Sequence, residues 1–199
     1  MNCALCMDKA CYKGKNCTNI IDRVKTCYED EVNNKIMKSA SRIEALHYMK
    51  ATRLEEVILF SKEMSYKHLG IAFCVGFSEE AKILEEILNK HFKISSVCCK
   101  VCGIDKKTYD LKQIDENRFE AMCDPIGQAE ILNKENTDLN IITGLCIGHD
   151  IVFTKHSIAP VTTLIVKDRV LSHNPAGAIY SSTLVEKLKN PLNFNTFTT

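Results

Sequence analysis

The amino-acid sequence predicts an α/β protein: a mostly parallel sheet of about four strands lies between helices in a Rossmann-like arrangement, and a four-cysteine module precedes it. Three observations predict this organisation. Four cysteines lie within the first 17 residues. Helical and strand-like periodicities alternate along most of the remaining chain. Hydrophobic residues make up 45% of the 199 positions, as in an ordinary folded domain with its own core.

The four-cysteine module occupies residues 1–28, which are too few and too polar to bury a core of their own. Its cysteines follow the spacing Cys3-x2-Cys6-x4-Cys11-x5-Cys17. Four soft thiolates on a short loop suit one tetrahedral metal ion, and the free energy of metal binding can replace that of a missing core. The spacing is similar to that of a zinc knuckle, while iron–sulfur clusters accept varied spacings. Zinc and an iron–sulfur cluster are therefore both candidates, and a reduced, disordered tail is the alternative.

The cysteine count and the charge balance narrow the class of protein. Eleven cysteines are an odd number, and the chain has neither a secretory leader nor an apolar run of about 18 residues. We therefore expect a soluble protein of the reducing cytoplasm, with no membrane partner, in which clustered thiols indicate metal binding or catalysis. The 26 basic and 25 acidic residues are spread along the chain and give a net charge of +1. This balance argues against binding to duplex nucleic acid.

Two helices open the remaining domain, residues 29–199, and occupy residues 29–66. Between residues 29 and 50, apolar side chains recur at steps of three and four, as they do on one face of a helix. Thr52 and Glu55 then have the spacing of a capping box, in which each side chain bonds to the backbone N–H of the other residue. This pair predicts the start of the second helix.

Alternating strands and helices fill the rest of the chain. The apolar run 69–75 is typical of a strand covered on both faces, and Ser78 with the acidic residues after it is typical of a helix N-cap. A strand at 94–99 completes a βαβ unit, and Asn174 with Pro175 predicts a later helix start. The other predicted elements are a helix at 125–132, a strand at 139–143, a helix at 149–155 and a strand at 161–166. Strands joined through helices in this way form a parallel sheet.

Most of the remaining cysteines lie where a predicted strand ends or in the loop that follows it. They are Cys74, Cys98, Cys99, Cys102, Cys123 and Cys146. In an open α/β sheet, the carboxyl ends of the strands form the crevice where ligands bind. We therefore expect Cys99, Cys123 and Cys146 to converge there on a metal ion or a 4Fe-4S cluster. Three thiolates leave one position open for a small-molecule substrate, which favours redox or sulfur chemistry.

Other roles for these residues stay open. Cys102 as a fourth ligand would close the cluster and favour electron transfer to a redox partner. Cys98 is a further candidate ligand. A strand-end cysteine also often serves as a small buried hydrophobe. His149 follows Cys146 by three residues and is a candidate metal ligand, hydrogen-bond donor to a cluster sulfur, or proton carrier.

Two rival functions explain the same residues differently. In the first, Cys74 is a nucleophile with His149 as its partner, because the amides of a strand-to-helix turn lower the pKa of a thiol. In the second, the protein is a metal or redox sensor that binds a partner without turnover. Under each function, Lys100 and Arg169 follow predicted strands and are placed to steer an anionic small molecule to the same edge.

Short motifs along nearly the whole chain carry a resemblance to a known family. They are CALC at 3–6 with Cys11 and Cys17, GIAFC at 70–74, CKV at 99–101, CDPIGQA at 123–129, GLCIGHD at 144–150, APVTT at 159–163, KDR at 167–169 and HNP at 173–175. These motifs resemble an uncharacterised bacterial and archaeal family, domain of unknown function 1847, whose members are usually named predicted metal-binding proteins. In that family, Asn commonly takes the place of Asp124. The resemblance implies metal binding and no particular reaction.

Overall fold

The computed structural model of the chain describes residues 1–190. The chain divides into two compact units, Met1–Ala51 and a second unit that begins at Thr52. This division comes later than the predicted module boundary after residue 28, because the two helices that follow the first cysteines contact each other and both stay within the first unit. Within residues 1–190, no helix is both long enough and apolar enough to cross a membrane.

The first unit is built from short turns and two α-helices. Turns of 3-10 helix form at Cys3–Leu5 and Ala10–Lys13, and α-helices form at Ile21–Glu29 (α1) and Glu31–His47 (α2). The sequence analysis predicted α2 but missed α1, none of whose residues is buried. Asp30 separates the helices and caps α2, since its carboxylate accepts a hydrogen bond from the backbone N–H of Asn33 at 2.9 Å.

The second unit alternates helices and strands. Its elements are α3 (Arg53–Glu63), β1 (His68–Phe73), α4 (Ser78–Leu88), β2 (Lys93–Cys98), α5 (Pro125–Lys134), β3 (Leu139–Thr143), α6 (His149–His156), β4 (Val161–Ile165), α7 (Gly177–Tyr180) and α8 (Ser182–Lys189). Residues 1–190 thus contain four strands and eight α-helices, and the predicted α/β class is confirmed. The capping box is also present, because Thr52 Oγ1 accepts from the N–H of Glu55 at 3.3 Å and the Glu55 carboxylate accepts from the N–H of Thr52 at 2.7 Å.

All four strands pair in parallel, in the order β2-β1-β3-β4. From β1 the chain passes to β2 on one side of β1, and then to β3 and β4 on the other side. The direction of winding therefore reverses between β1 and β3. In open α/β sheets, ligands bind beyond the carboxyl ends of the strands at such a reversal.

Two hydrophobic clusters cover the faces of this sheet. On one face, Leu69 and Ile71 of β1 pack in a cluster with residues of α3 and α4. On the other face, Ala72 of β1 and Cys74 just beyond it pack with residues of α5 and α6. Neighbouring residues of β1 serve opposite faces, as strand geometry requires. Because both faces are covered, the sequence of β1 is almost continuously apolar.

Two predicted helix starts were wrong in detail. Ser78 is the first residue of α4 rather than its N-cap, and its hydroxyl donates to the carbonyl of Val75 at 2.7 Å, which tightens the turn after β1. The predicted start at Asn174 and Pro175 falls short of α7, which begins at Gly177. The chain first closes a turn there, with the N–H of Gly177 donating to the carbonyl of Asn174 at 3.0 Å.

Candidate thiolate site at the carboxyl edge of the sheet

Cys74 and Cys99 lie side by side beyond the carboxyl ends of β1 and β2. The last paired residues of these strands are Phe73 and Cys98, and the N–H of Cys99 continues the ladder with a 2.8 Å hydrogen bond to the carbonyl of Phe73. Cys74 and Cys99 both belong to the hydrophobic cluster on the α5–α6 face, where they are 6% and 1% exposed. The parallel pairing thus places two buried thiols together near the reversal of strand order.

The long loop between β2 and α5 folds back toward the end of β2 and places Cys123 beside Cys99. Asp124 fixes this return, because its N–H donates to the carbonyl of Cys99 at 2.8 Å. Its carboxylate caps α5 by accepting from the N–H of Gly127 at 2.8 Å. Gln128 of α5, which is fully buried, donates through Nε2 to one carbonyl of β1 at 3.1 Å and to one of β2 at 2.7 Å. These hydrogen bonds hold the loop, α5 and both strand ends together.

The three thiols form one hydrogen-bonded row with Cys99 in the middle. The side-chain hydrogen bond to Cys99 is the main cause that lowers the pKa of Cys74 to about 4, and Lys167 and the N–H of Gly76 also lower it, against the effect of burial. The bond to Cys99 likewise lowers the pKa of Cys123 to about 5. Hydrogen bonds to Cys123 and Cys74, together with burial, raise the pKa of Cys99. A neutral thiol therefore lies between two thiolates.

Basic side chains lie near both ends of this row. Lys167 follows β4, and its Nζ donates to Cys74 Sγ at 2.5 Å. Lys100 and His149 lie close enough to Cys123 to lower its pKa electrostatically. His149 is the first residue of α6, while Lys100 directly follows the row's central thiol. The two thiolates are thus stabilised by Lys167 and Lys100, which come from different parts of the chain.

Phe77 supports the position of Lys167. Lys167 Nζ lies 5.3 Å from the centroid of the Phe77 ring, within the range of a cation–π interaction. The ring of His173 packs on Phe77 with centroids 4.5 Å apart, and its Nδ1 accepts from the N–H of Asp168 at 3.1 Å. Gly144, just after β3, has a φ of +68°, and a Cβ there would lie 2.3 Å from the Phe77 ring. Glycine is therefore the residue that fits beneath this ring.

Cys146 lies beside the row and is linked to it through Arg169. The half-buried Cys146 Sγ accepts from Arg169 Nη2 at 3.2 Å, and this hydrogen bond is the main cause that raises the pKa of Arg169. The charges of Cys74 and Cys123 contribute to the same increase in pKa. The exposed guanidinium group of Arg169 therefore interacts electrostatically with Cys146 and with both thiolates of the row. The structure thus joins Cys99 directly to Cys123 and Cys74, and Cys146 more distantly.

The remaining predicted ligands lie outside the row. Cys102 is exposed, and a hydrogen bond to Asp124 raises its pKa. Cys98 is half-buried at the end of β2. The four cysteines of the amino-terminal module are exposed free thiols, namely Cys3, Cys6, Cys11 and Cys17. Within residues 1–190, no three or more His, Cys, Asp or Glu side chains are gathered as a group that could hold a metal ion. The four-cysteine metal module and a metal site at the sheet edge are therefore both predictions, since neither set of thiols forms such a group in the described residues.

Sequence reasoning missed the role of Lys167. It paired Cys74 with His149, whereas the cation that contacts Cys74 is Lys167, and His149 acts on Cys123. A signal was available, because Lys167 closely follows the predicted strand that became β4. All strands being parallel, a residue just after β4 must lie at the same edge as Cys74.

The comparisons with known proteins agree with the resemblance found in the sequence. The family described as protein of unknown function (DUF1847) matches residues 12–164. The chain belongs to this family. An uncharacterized protein of Methanocaldococcus jannaschii is 59% identical over 189 residues, which cover 94% of this chain and 98% of that protein. No solved structure matches the chain. The family match includes Cys74, Cys99, Cys123 and Cys146, and ends before Lys167.

Proposed function

We propose that this DUF1847 protein binds a soft metal ion or an iron–sulfur cluster at the thiols Cys74, Cys99 and Cys123, with Cys146 as a further ligand, and acts there on a small molecule. One observation carries the proposal: thiols from two adjacent strand ends and from a returning loop share hydrogen bonds in one row. Soft thiolates select zinc, copper(I) and iron–sulfur clusters over hard cations. An α/β sheet with this strand order supports a Rossmann-like classification, with the site at the usual ligand-binding edge.

The chemistry of the donor set fits such a group. Thiols bind metal as thiolates and release protons when they do so, and two members of the row already have pKa values near 4 and 5. Cys99 keeps one proton, which its thiol can donate either to Cys74 or to Cys123, and a bound metal would replace that proton. Lys167 and Lys100 would then offset the charge of Cys74 and Cys123. A bound metal with an open position supplies Lewis-acid or electron-transfer chemistry.

We extend the proposal to the amino-terminal module, as a second site for zinc or an iron–sulfur cluster in a cytoplasmic protein. The spacing of Cys3, Cys6, Cys11 and Cys17 supports it. The N–H of Lys9 donates to Cys6 Sγ at 3.4 Å, so that backbone amides are available to stabilise a thiolate there. Gly14 has a φ of +91° and ends the turn that holds Cys11, as a wrapped loop needs.

Metal analysis of anaerobically purified protein tests the proposal. We expect zinc, or iron with sulfide and the visible absorption of a cluster, in amounts that indicate two sites per chain. Cys99→Ser should remove the metal of the sheet edge and leave the amino-terminal metal, and Cys17→Ser should do the reverse. Cys27→Ser, which changes an exposed cysteine that is not a proposed ligand of either site, is the control. A Cys99→Ser protein with the metal content of the wild type would contradict the proposal for the sheet edge.

A cysteine nucleophile is the second candidate function, and the contact between Cys74 and Lys167 favours it. A thiolate with a pKa near 4 beside an ammonium group is nucleophilic at neutral pH. Cys74→Ala separates the two functions. Lost turnover with unchanged metal content supports a nucleophile, whereas lost metal supports ligation.

A further inference from the structure

The cations at the thiolate site form no ion pair with a carboxylate of residues 1–190. Among the described residues, no Asp or Glu oxygen lies within 4.0 Å of the charged nitrogens of Lys100, Lys167 or Arg169. Lys167 and Arg169 instead donate to sulfur, at 2.5 and 3.2 Å. Lys100 Nζ donates to the carbonyl of Ala121 at 2.5 Å and acts at longer range on the carboxylate of Glu120, which is paired with another lysine.

The acidic residues nearest in sequence are occupied by backbone groups. The Asp168 carboxylate, between the two cations, accepts from the N–H groups of Val170 and Leu171 at 3.0 and 2.8 Å. The carboxylate of Asp150, next to His149, accepts from the N–H that follows it at 2.8 Å. These carboxylates shape loops rather than neutralise Lys167 and Arg169. An incoming anion would therefore not compete with these two carboxylates for Lys167 and Arg169.

A count of charges at the occupied site leaves an excess of positive charge. Three thiolates and a divalent metal carry one net negative charge, because ligands bind deprotonated. Lys100, Lys167 and Arg169 add three positive charges, and the sum is about +2. If Cys146 binds as a fourth thiolate, the sum is still about +1. An anion that enters the site would bring the sum close to zero.

The cations also differ in their depth. Arg169 is exposed, while Lys167 is half-buried and contacts Cys74, the buried thiol at one end of the row. An arginine fork presents parallel N–H donors that match the oxygens of a carboxylate or oxyanion, and a lysine adds a point charge. A ligand can thus meet Arg169 first and Lys167 next.

We propose that the substrate of the thiolate site is a small oxyanion or carboxylate, which Arg169 captures at the surface and Lys167 holds beside the thiols. This inference rests on the proposed function, since it names the substrate class of the same site. Inorganic sulfate serves as the probe. Its binding to reduced full-length protein is measured by calorimetry, with and without bound metal, at an ionic strength held constant with chloride.

We expect saturable sulfate binding to the metal-bound protein, weakened at least about ten-fold by Arg169→Gln and by Lys167→Met. Lys167→Arg keeps the charge and should retain most of the affinity. Arg23→Gln and Lys82→Met remove the same charges from exposed positions outside the site and should bind as the wild type does. Equal affinity in the site variants and in these controls would overturn the inference, as would the absence of saturable binding.

Metal content measured on the same samples separates this inference from the proposed function. Protein that lacks metal at the sheet edge but binds sulfate through Arg169 contradicts the metal site and retains the anion site. Protein that holds metal there but binds sulfate no better than Arg169→Gln retains the metal site and rejects the anionic substrate.

Discussion

Lys167 Nζ lies 2.5 Å from Cys74 Sγ although 93 residues separate the two in the chain. Cys74 follows β1 and Lys167 follows β4, the two strands that flank β3, so that their contact spans the carboxyl end of β3. An ammonium group stabilises a neighbouring thiolate, and the contact therefore helps to keep Cys74 ionised at neutral pH. Both candidate functions, metal ligation and nucleophilic attack, depend on that ionised sulfur.

Replacing Lys167 should raise the pKa of Cys74 part of the way toward that of an ordinary thiol. We expect Lys167→Met to raise the pKa of Cys74 by about one pH unit or more, while the larger effect of the Cys99 hydrogen bond remains. The measurement is the pH dependence of Cys74 alkylation in metal-free protein, read by peptide mass spectrometry. Lys82→Met is the control, and an unchanged pH profile in Lys167→Met would show that the lysine does not stabilise the thiolate.

The stability of the metal-free protein should increase with pH between about 4 and 8.5. The pKa of Cys74 and that of Cys123 are lowered to about 4 and 5, so that the folded state has lost protons that the unfolded state still binds. This stabilisation is complete above the pKa of the unfolded thiols and is lost as pH falls through the folded values. Each thiol adds at most about 1.4 kcal/mol per pH unit to the slope.

Urea titrations at a series of pH values measure this slope. Cys123→Ala should make the free energy of unfolding less dependent on pH in this range, whereas Cys27→Ala, at an exposed position, should not. Cys99, whose pKa is raised, stays neutral in both states below about pH 8 and does not contribute there. Identical slopes for the wild type and Cys123→Ala would contradict the depressed pKa.

Gly144→Ala should destabilise the protein by about 2 to 4 kcal/mol, because the new Cβ meets the Phe77 ring at 2.3 Å and the backbone has a left-handed φ of +68°. Gly103→Ala is a matched control, since its φ is +60° but no atom lies within 4 Å of the new Cβ. It should cost only about 1 kcal/mol of backbone strain. Chemical denaturation measures both, and equal losses would show that Phe77 moves aside freely.

Mild oxidation should join Cys74 to Cys99 in a disulfide. Parallel strands lie about 4.8 Å apart, within the Cα separation of about 4.4 to 6.8 Å that a disulfide spans. Oxidised glutathione supplies the oxidant and leaves as two thiols. Peptide mapping without reductant should find this pair in metal-free protein and much less of it in metal-bound protein. A disulfide that instead uses the neighbouring Cys98, with Cys99 left free, would contradict the side-by-side placement.

Local sequence patterns predicted most elements of the α/β unit. The capping box of Thr52 and Glu55 and the apolar run of β1 are short-range signals, and both appear in the structure. The helix α1 gave no usable signal, because none of its residues is buried and its apolar side chains serve no core. A helix or strand that buries one face shows a hydrophobic period and can be predicted from the sequence, whereas an exposed helix lacks that signal.

Which residues form the site could not be fully predicted from the sequence, because the answer depends on the order of the strands in the sheet. The sequence places a cysteine after each of β1, β2 and β3 but does not say which strands are neighbours. With β2 next to β1, Cys99 meets Cys74, whereas Cys146 follows β3 on the far side of β1. The contact between Cys74 and Lys167 depends on the same order, since β4 lies two strands from β1.

Cys99, the central thiol of the site, directly follows β2, which is an edge strand of the sheet. Among the described strands, β2 pairs only with β1. Gln128 joins the ends of these two strands, because its Nε2 donates to the carbonyl of Phe73 in β1 and to that of Val97 in β2. If β2 frays at this end, Cys99 leaves its neighbours while the other three strands remain paired. Retention of any bound ion would then be limited by the lifetime of one outer strand, and slow amide exchange in β2 would go together with slow metal loss.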